Sequence, residues 1–273
     1  MQWKNLMALA VLALVQFAGA PAFATPGEWA QVGKAGDWAN TQFLVARAGA
    51  LWSVESDGTL YRTDKNGHWE QAGKAGDWKN TVAMTALNDD LWSVESDGTL
   101  YRTDKTGHWE QVGKKGDWKD TRFMVGSNDA LWSIEADGTL YRTDKTGHWE
   151  QVGKAGDWKD TIAMTTLDGD LWTVEKSGNL YRTDKTGHWD QVGKAGDWKD
   201  TSFMVASNGA LWSIEADGTL YRTDKTGHWE QVGKSGDWKD TIAMTVLDGD
   251  LWTVEKSGTL YRTATRYSDS RLK

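Results

Sequence analysis

Cysteine is absent from this 273-residue chain. That excludes disulfides and thiolate-bound metals, and leaves packing and ring closure as the sources of stability. Proline is nearly absent too: only Pro21 and Pro26 occur. No stretch holds a sustained helical period, so the chain reads as strand and turn. An excess of positive charge is also missing. The net charge of −8 argues against a phosphate-backbone binder, and no nucleic-acid partner is expected. Only one apolar run is present. Lys4 precedes Leu6–Val15, and small residues lead on to Ala22-Phe23-Ala24. The run is too short for a convincing membrane span and has the layout of a secretory signal. Residues 1–24 are therefore expected to be cleaved. Residues 25–273 would then form a single secreted or periplasmic domain with no membrane span.

What fills the chain is repetition. Tryptophans at 29, 69, 109, 149, 189 and 229 mark six near-copies of a 40-residue unit with no insertion. A repeat of this length signals an array, a solenoid or a propeller. Within one unit, WEQVG, TIAMTTL, LWTVE and NLYRTD are short runs rich in β-branched and aromatic residues. Gly- and Asp-containing turns separate them, as in an antiparallel four-stranded meander. Apolar residues fall on both faces. Trp52 and Val54 point one way and Leu51 the other, so each sheet needs a neighbour on either side. Blades around an axis meet that need. The ends are complementary: the first unit begins with GEWAQVG, and the last stops after LYRTATRYSDSRLK without its closing strand. The expected fold class is all-β, a six-bladed β-propeller of 40-residue four-stranded blades, closed by the N-terminal strand.

The units also alternate. Phe43, Phe123 and Phe203 stand where Ala83, Ala163 and Ala243 stand in the other three. This predicts large and small side chains meeting at a crowded axis, with an 80-residue pair of blades as the true repeat.

The order LW(S/T)(V/I)E, G-x-LYRTD, GHWEQVG and GDW resembles the repeat of tectonin and tachylectin-type β-propeller lectins, and the resemblance covers residues 25–273. It implies a multivalent, metal-independent binder of carbohydrate on microbial surfaces, lipopolysaccharide among the ligands, with no cofactor and no catalytic residues. The alternative is a non-catalytic structural or protein-interaction propeller of the cell envelope, whose repeated Trp, Glu and Arg only hold blades together.

Three sets of residues are candidates for a ligand site between blades. The GDW tryptophans Trp38, Trp78, Trp118, Trp158, Trp198 and Trp238 sit in the link between blades. They could stack on a sugar ring, or wedge between blades as packing. Glu55, Glu95, Glu135, Glu175, Glu215 and Glu255 end the second strand on the same rim. They could accept sugar hydroxyls or pair with Arg or Lys. Lys34, Lys74, Lys114, Lys154, Lys194 and Lys234 precede GDW and could serve ligand or glutamate. Lys176-Ser177 and Lys256-Ser257 replace a Ser/Ala-Asp pair in two units and predict a second class of site favouring anionic glycans. The Arg62 series is expected to form cross-strand ion pairs, and the His68 series to be exposed in turns. The histidines are too dispersed for a metal, and no nucleophile triad is visible. Sixfold sameness argues against one asymmetric constellation, so no enzyme is expected.

Overall fold

In the computed structural model, which describes residues 25–266, each unit folds as the alternation of its side chains requires. In blade one the inner strand is Thr41–Arg47 and the second Ala50–Glu55. The third is Leu60–Thr63 and the outer Trp69–Ala72. Six such antiparallel sheets form the β-propeller, and among the described residues there is no helix. Blade six is completed from the other end of the chain. Trp29–Val32 lies against Leu260–Thr263, with Trp29 opposite Thr263 and Val32 opposite Leu260. The equivalent register in blade one sets Trp69 opposite Thr63 and Ala72 opposite Leu60. The signal expected at residues 1–24 lies outside the described residues.

The core lies between blades. Trp52, Val54 and Leu60 of blade one pack against Trp78, Met84 and Leu91. Leu51, on the other face, joins Trp38 and blade six. Every inner strand carries a bulge after its first residue, as between Thr41 and Phe43. Such a bulge re-aims the residue at the rim of a sheet, and it sets Thr41 beside Glu55.

Loops tie the blades together at one rim. Gly58 has φ of 80°, a conformation glycine enters without strain. A Cβ there would lie 2.4 Å from the backbone nitrogen of Lys79. Free of that clash, the Gly58 carbonyl accepts a hydrogen bond from the Trp78 amide at 3.1 Å.

The alternation of Phe and Ala proves to concern the gaps between blades, not the axis. Phe43 packs towards blade two and Phe123 towards blade four. Ala83 and Ala243 face gaps in which neighbouring inner strands approach more closely. In those gaps the Ala46 amide donates to Thr245 Oγ1 at 3.2 Å, and the Gly126 amide to Thr85 Oγ1 at 3.1 Å. Phenylalanine thus fills wide gaps and alanine permits narrow ones, with three of each around the ring.

Candidate functional site

The GDW tryptophans are buried, at 1–4 % exposure. Each wedges between blades: Trp38 joins Leu51 of blade one and Val254 and Leu260 of blade six. Its six-membered ring covers Gly33, where a Cβ would come within 2.5 Å. Burying an indole of roughly 150–250 Å² contributes about 4–6 kcal/mol at most. These rings are therefore blade packing first, and only their edges reach the surface recesses.

Those recesses lie on the rim where the GDW loop meets the turn after the second strand, joined by the Ser56 amide donating to the Asn40 carbonyl at 2.8 Å. The blade-three recess has Trp118, Ser133, Glu135, Tyr141 and Trp149 in its walls. Equivalent residues line those of blades one, two, four and five. Walls come from one blade and the loop entering it, not from two blades as expected. The Lys34 series is exposed and lines none of these five recesses; Lys119 and Lys199, just after the wedge tryptophan, line two of them.

The exposed aromatic faces belong to the tryptophans that marked the repeat. Trp69, Trp109, Trp149, Trp189 and Trp229 are 43–50 % exposed. Trp149 meets Tyr141 edge-on at 5.3 Å, and its Nε1 donates to Asp117 at 3.1 Å. The same indole-to-aspartate bond recurs at Trp69, Trp109 and Trp229. An indole held at both its edge and its nitrogen is a fixed platform. Strand parity could have revealed this set. In WEQV only the valine must face the core, and tryptophan shares its side with glutamine, on the polar face.

The floor is polar. Ser93 and Ser133 are 1–2 % exposed, and their hydroxyls have no hydrogen-bond partner, whereas the Ser213 hydroxyl donates to Glu215 at 3.4 Å. Thr41, Thr81, Thr121 and Thr201 donate to Glu55, Glu95, Glu135 and Glu215 at 2.7–2.9 Å. Among the described residues none of the six glutamates forms an ion pair with Lys or Arg. The structural partner is a threonine rather than a cation. The arginines are engaged elsewhere: Arg62 pairs with Glu70 at 3.1 Å, Arg142 with Asp129 at 2.9 Å, and Arg182 with Asp170. The histidine turns are closed by aspartates, as where Asp144 accepts the His148 amide. Among the described residues no His, Cys, Asp and Glu cluster could hold a metal.

The recesses differ in size. They measure about 560 Å³ in blade three and 520 Å³ in blade five. Blades two and one have about 260 and 200 Å³, and blade four about 20 Å³. Small Ala136 and Ala216 stand at the rim of the two large ones. In blade four Thr173 replaces the floor serine, and Lys176 reaches Asp160 at 3.5 Å. In blade six Thr253 and Lys256 repeat those substitutions, with Lys256 at 3.5 Å from Asp240. The lysines expected to recruit an anion are thus held by neighbouring aspartates. Thr161 and Thr241 lose their glutamate and are left without a partner.

Burial pushes the carboxyls of Glu55, Glu95, Glu135, Glu175, Glu215 and Glu255 above the ordinary 4.5. Turn aspartates move the other way. The Thr59 amide holds Asp57 below 3.8, and Lys115 brings Asp97 to about 2. A raised acid contributes stability that is full below its unfolded value and lost as pH rises through the folded one. A lowered acid contributes stability present above its unfolded value and lost as pH falls through the folded one. The melting temperature should therefore peak near about pH 4–5, fall towards neutrality and fall again in acid. Melts across a pH series test this. Changing all six glutamates to glutamine should flatten the neutral arm; an unaltered neutral arm would show that these carboxyls do not govern it.

No protein-family model matches the chain, and no curated protein sequence matches it. Its likenesses are to solved structures. A streptogramin B lyase aligns with a TM-score of 0.57 at 16 % identity, over 87 % of this chain and 97 % of the lyase. YCF48 bound to D1 peptide aligns at 0.60 and 16 %, over 88 % and 97 %. A gluconolactonase from Xanthomonas campestris aligns at 0.62 and 12 %, over 85 % and 90 %. These are propeller proteins rather than tectonin lectins in particular, and at such identities the likeness is one of fold. The chain is thus a six-bladed β-propeller. The comparison corrects one expectation. A lyase and a gluconolactonase share this architecture, so a ring of repeated blades is no ground for excluding an enzyme.

Proposed function

We propose that this propeller is a multivalent carbohydrate binder of microbial surface glycans, working outside the cytoplasm, with one sugar unit per open recess. The observation that supports it most is the pairing of an exposed, hydrogen-bonded indole with a buried serine hydroxyl and a carboxylate, repeated around the rim. The indole offers its face to the C–H groups of a sugar ring, while Ser133 and Glu135 take its hydroxyls. Repetition converts weak single sites into avidity on a surface that repeats its ligand. A second reading has one specific support. A propeller of this fold, YCF48, was solved with a peptide, and an envelope protein's side chain could occupy the same recess.

Recess size sets the expected stoichiometry. Titration calorimetry with a surface glycan should give a tighter class of about two equivalents, from blades three and five, and a weaker class from blades one and two. Trp149→Ala should remove one tight equivalent, weakening that site by about 2 kcal/mol, or roughly 30-fold. Trp189→Ala, the exposed indole of the closed blade-four recess, should leave both tight sites in place. Failure of any glycan to bind at millimolar concentration would leave the protein-interaction reading.

A further inference from the structure

The recesses carry more negative charge than a neutral sugar requires. In blade three Asp117, Asp120, Glu135 and Asp137 line the recess with Lys119 as the sole cation among its lining residues. In blade one Ala39 replaces that lysine, and Asp37, Glu55 and Asp57 stand without one among the lining residues. Glu135 is half-buried and, among the described residues, has no cation paired with it. Beside it the buried Ser133 hydroxyl has no partner. Above them stands the fixed indole of Trp149. A carboxylate taken from water without a counter-charge is costly. An aromatic face attracts a cation within about 6 Å of its ring. An ammonium brings three donors and no acceptor, which suits a floor made mostly of acceptors.

We propose that the recesses select sugar units bearing a free ammonium, that is de-N-acetylated amino sugars, over neutral and anionic sugars. This rests on the carbohydrate reading above and narrows its ligand. The ammonium sits between Glu135 and the Ser133 hydroxyl, and the sugar ring lies on the Trp149 face. Blade five sets Glu215, Ser213 and Trp229 in the same places, there with the Ser213 hydroxyl donating to Glu215 at 3.4 Å.

Calorimetry on the whole chain would compare a glucosamine hexasaccharide, its fully N-acetylated counterpart and a lysine hexapeptide. The free amine should bind at least about ten-fold tighter than the N-acetylated sugar. That preference should weaken between about 0.05 and 0.5 M salt, though less than for a fully exposed pair because Glu135 is half-buried. The double variant Glu135→Gln and Glu215→Gln, with its circular dichroism unchanged, should bind both sugars alike at its two tight sites. Equal or tighter binding of the N-acetylated sugar to the unaltered protein, which needs no variant to fold, would overturn the charge selection and leave the carbohydrate reading standing. Binding of the lysine peptide with neither sugar bound would overturn both.

Discussion

A chain that begins at Lys34 should melt well below one that begins at Thr25. The shorter chain lacks Trp29–Val32, which form the outer strand of blade six. Loss of this strand strips four residues of ladder from Leu260–Thr263 and removes Trp29, whose ring meets Tyr261 edge-on at 4.4 Å. It also removes Gly27, whose backbone lies close against Gly233. Trp29 is 43 % exposed, so its ring contributes less than the roughly 3–5 kcal/mol of a core aromatic, and the larger effect comes from the unpaired strand, an edge prone to association. Chemical denaturation of the two chains, with their sedimentation, measures both effects. Indistinguishable unfolding midpoints would mean that the strand does not close the ring.

Copying phenylalanine into the narrow gaps should be nearly as damaging. Ala83, Ala163 and Ala243 are 5–7 % exposed and sit where inner strands nearly touch. Phenylalanine at all three should cost roughly 1–3 kcal/mol per site through strain and displaced strands. The reverse change, Phe43→Ala with Phe123→Ala and Phe203→Ala, leaves wide gaps underfilled and should destabilise by a cavity term instead. A neutral outcome for the first triple variant would show that the gaps are not fixed in width.

The fold was legible because its signals are local and repeated. Alternation along LWSVE and the complementary ends depend only on strand parity and on the count of strands, and the blades follow both. Phe43 was legible as one half of an alternation but not in its location. A blade stands radially, so even its innermost strand turns both faces to neighbouring blades and meets the axis with an edge. The site was half legible. Glu55 and the GDW loop were rightly placed on one rim, yet nothing in the sequence distinguishes a loop tryptophan that wedges inward from one that stands free. That depends on Gly33, whose missing side chain gives Trp38 room to fold under the loop. The exposed role fell to Trp69 and its equivalents on the outer strand. The unpaired serine hydroxyls could not be foreseen, because a partner's absence is a property of the assembled rim.

The borrowed strand of blade six also bears on the order in which the molecule folds. Blades one to five each finish with their own outer strand, reached by a short hairpin. Blade six must recover a strand made before any other. Closing a loop on the order of twenty-fold longer costs about 2.5 kcal/mol more. Local hairpins therefore win first, and although the WAQV of Trp29–Val32 nearly matches the WEQV of the other units, it finds their places already taken. It waits for the last blade, so the folding ring stays an open arc with one orphan strand until Leu260–Thr263 is in place.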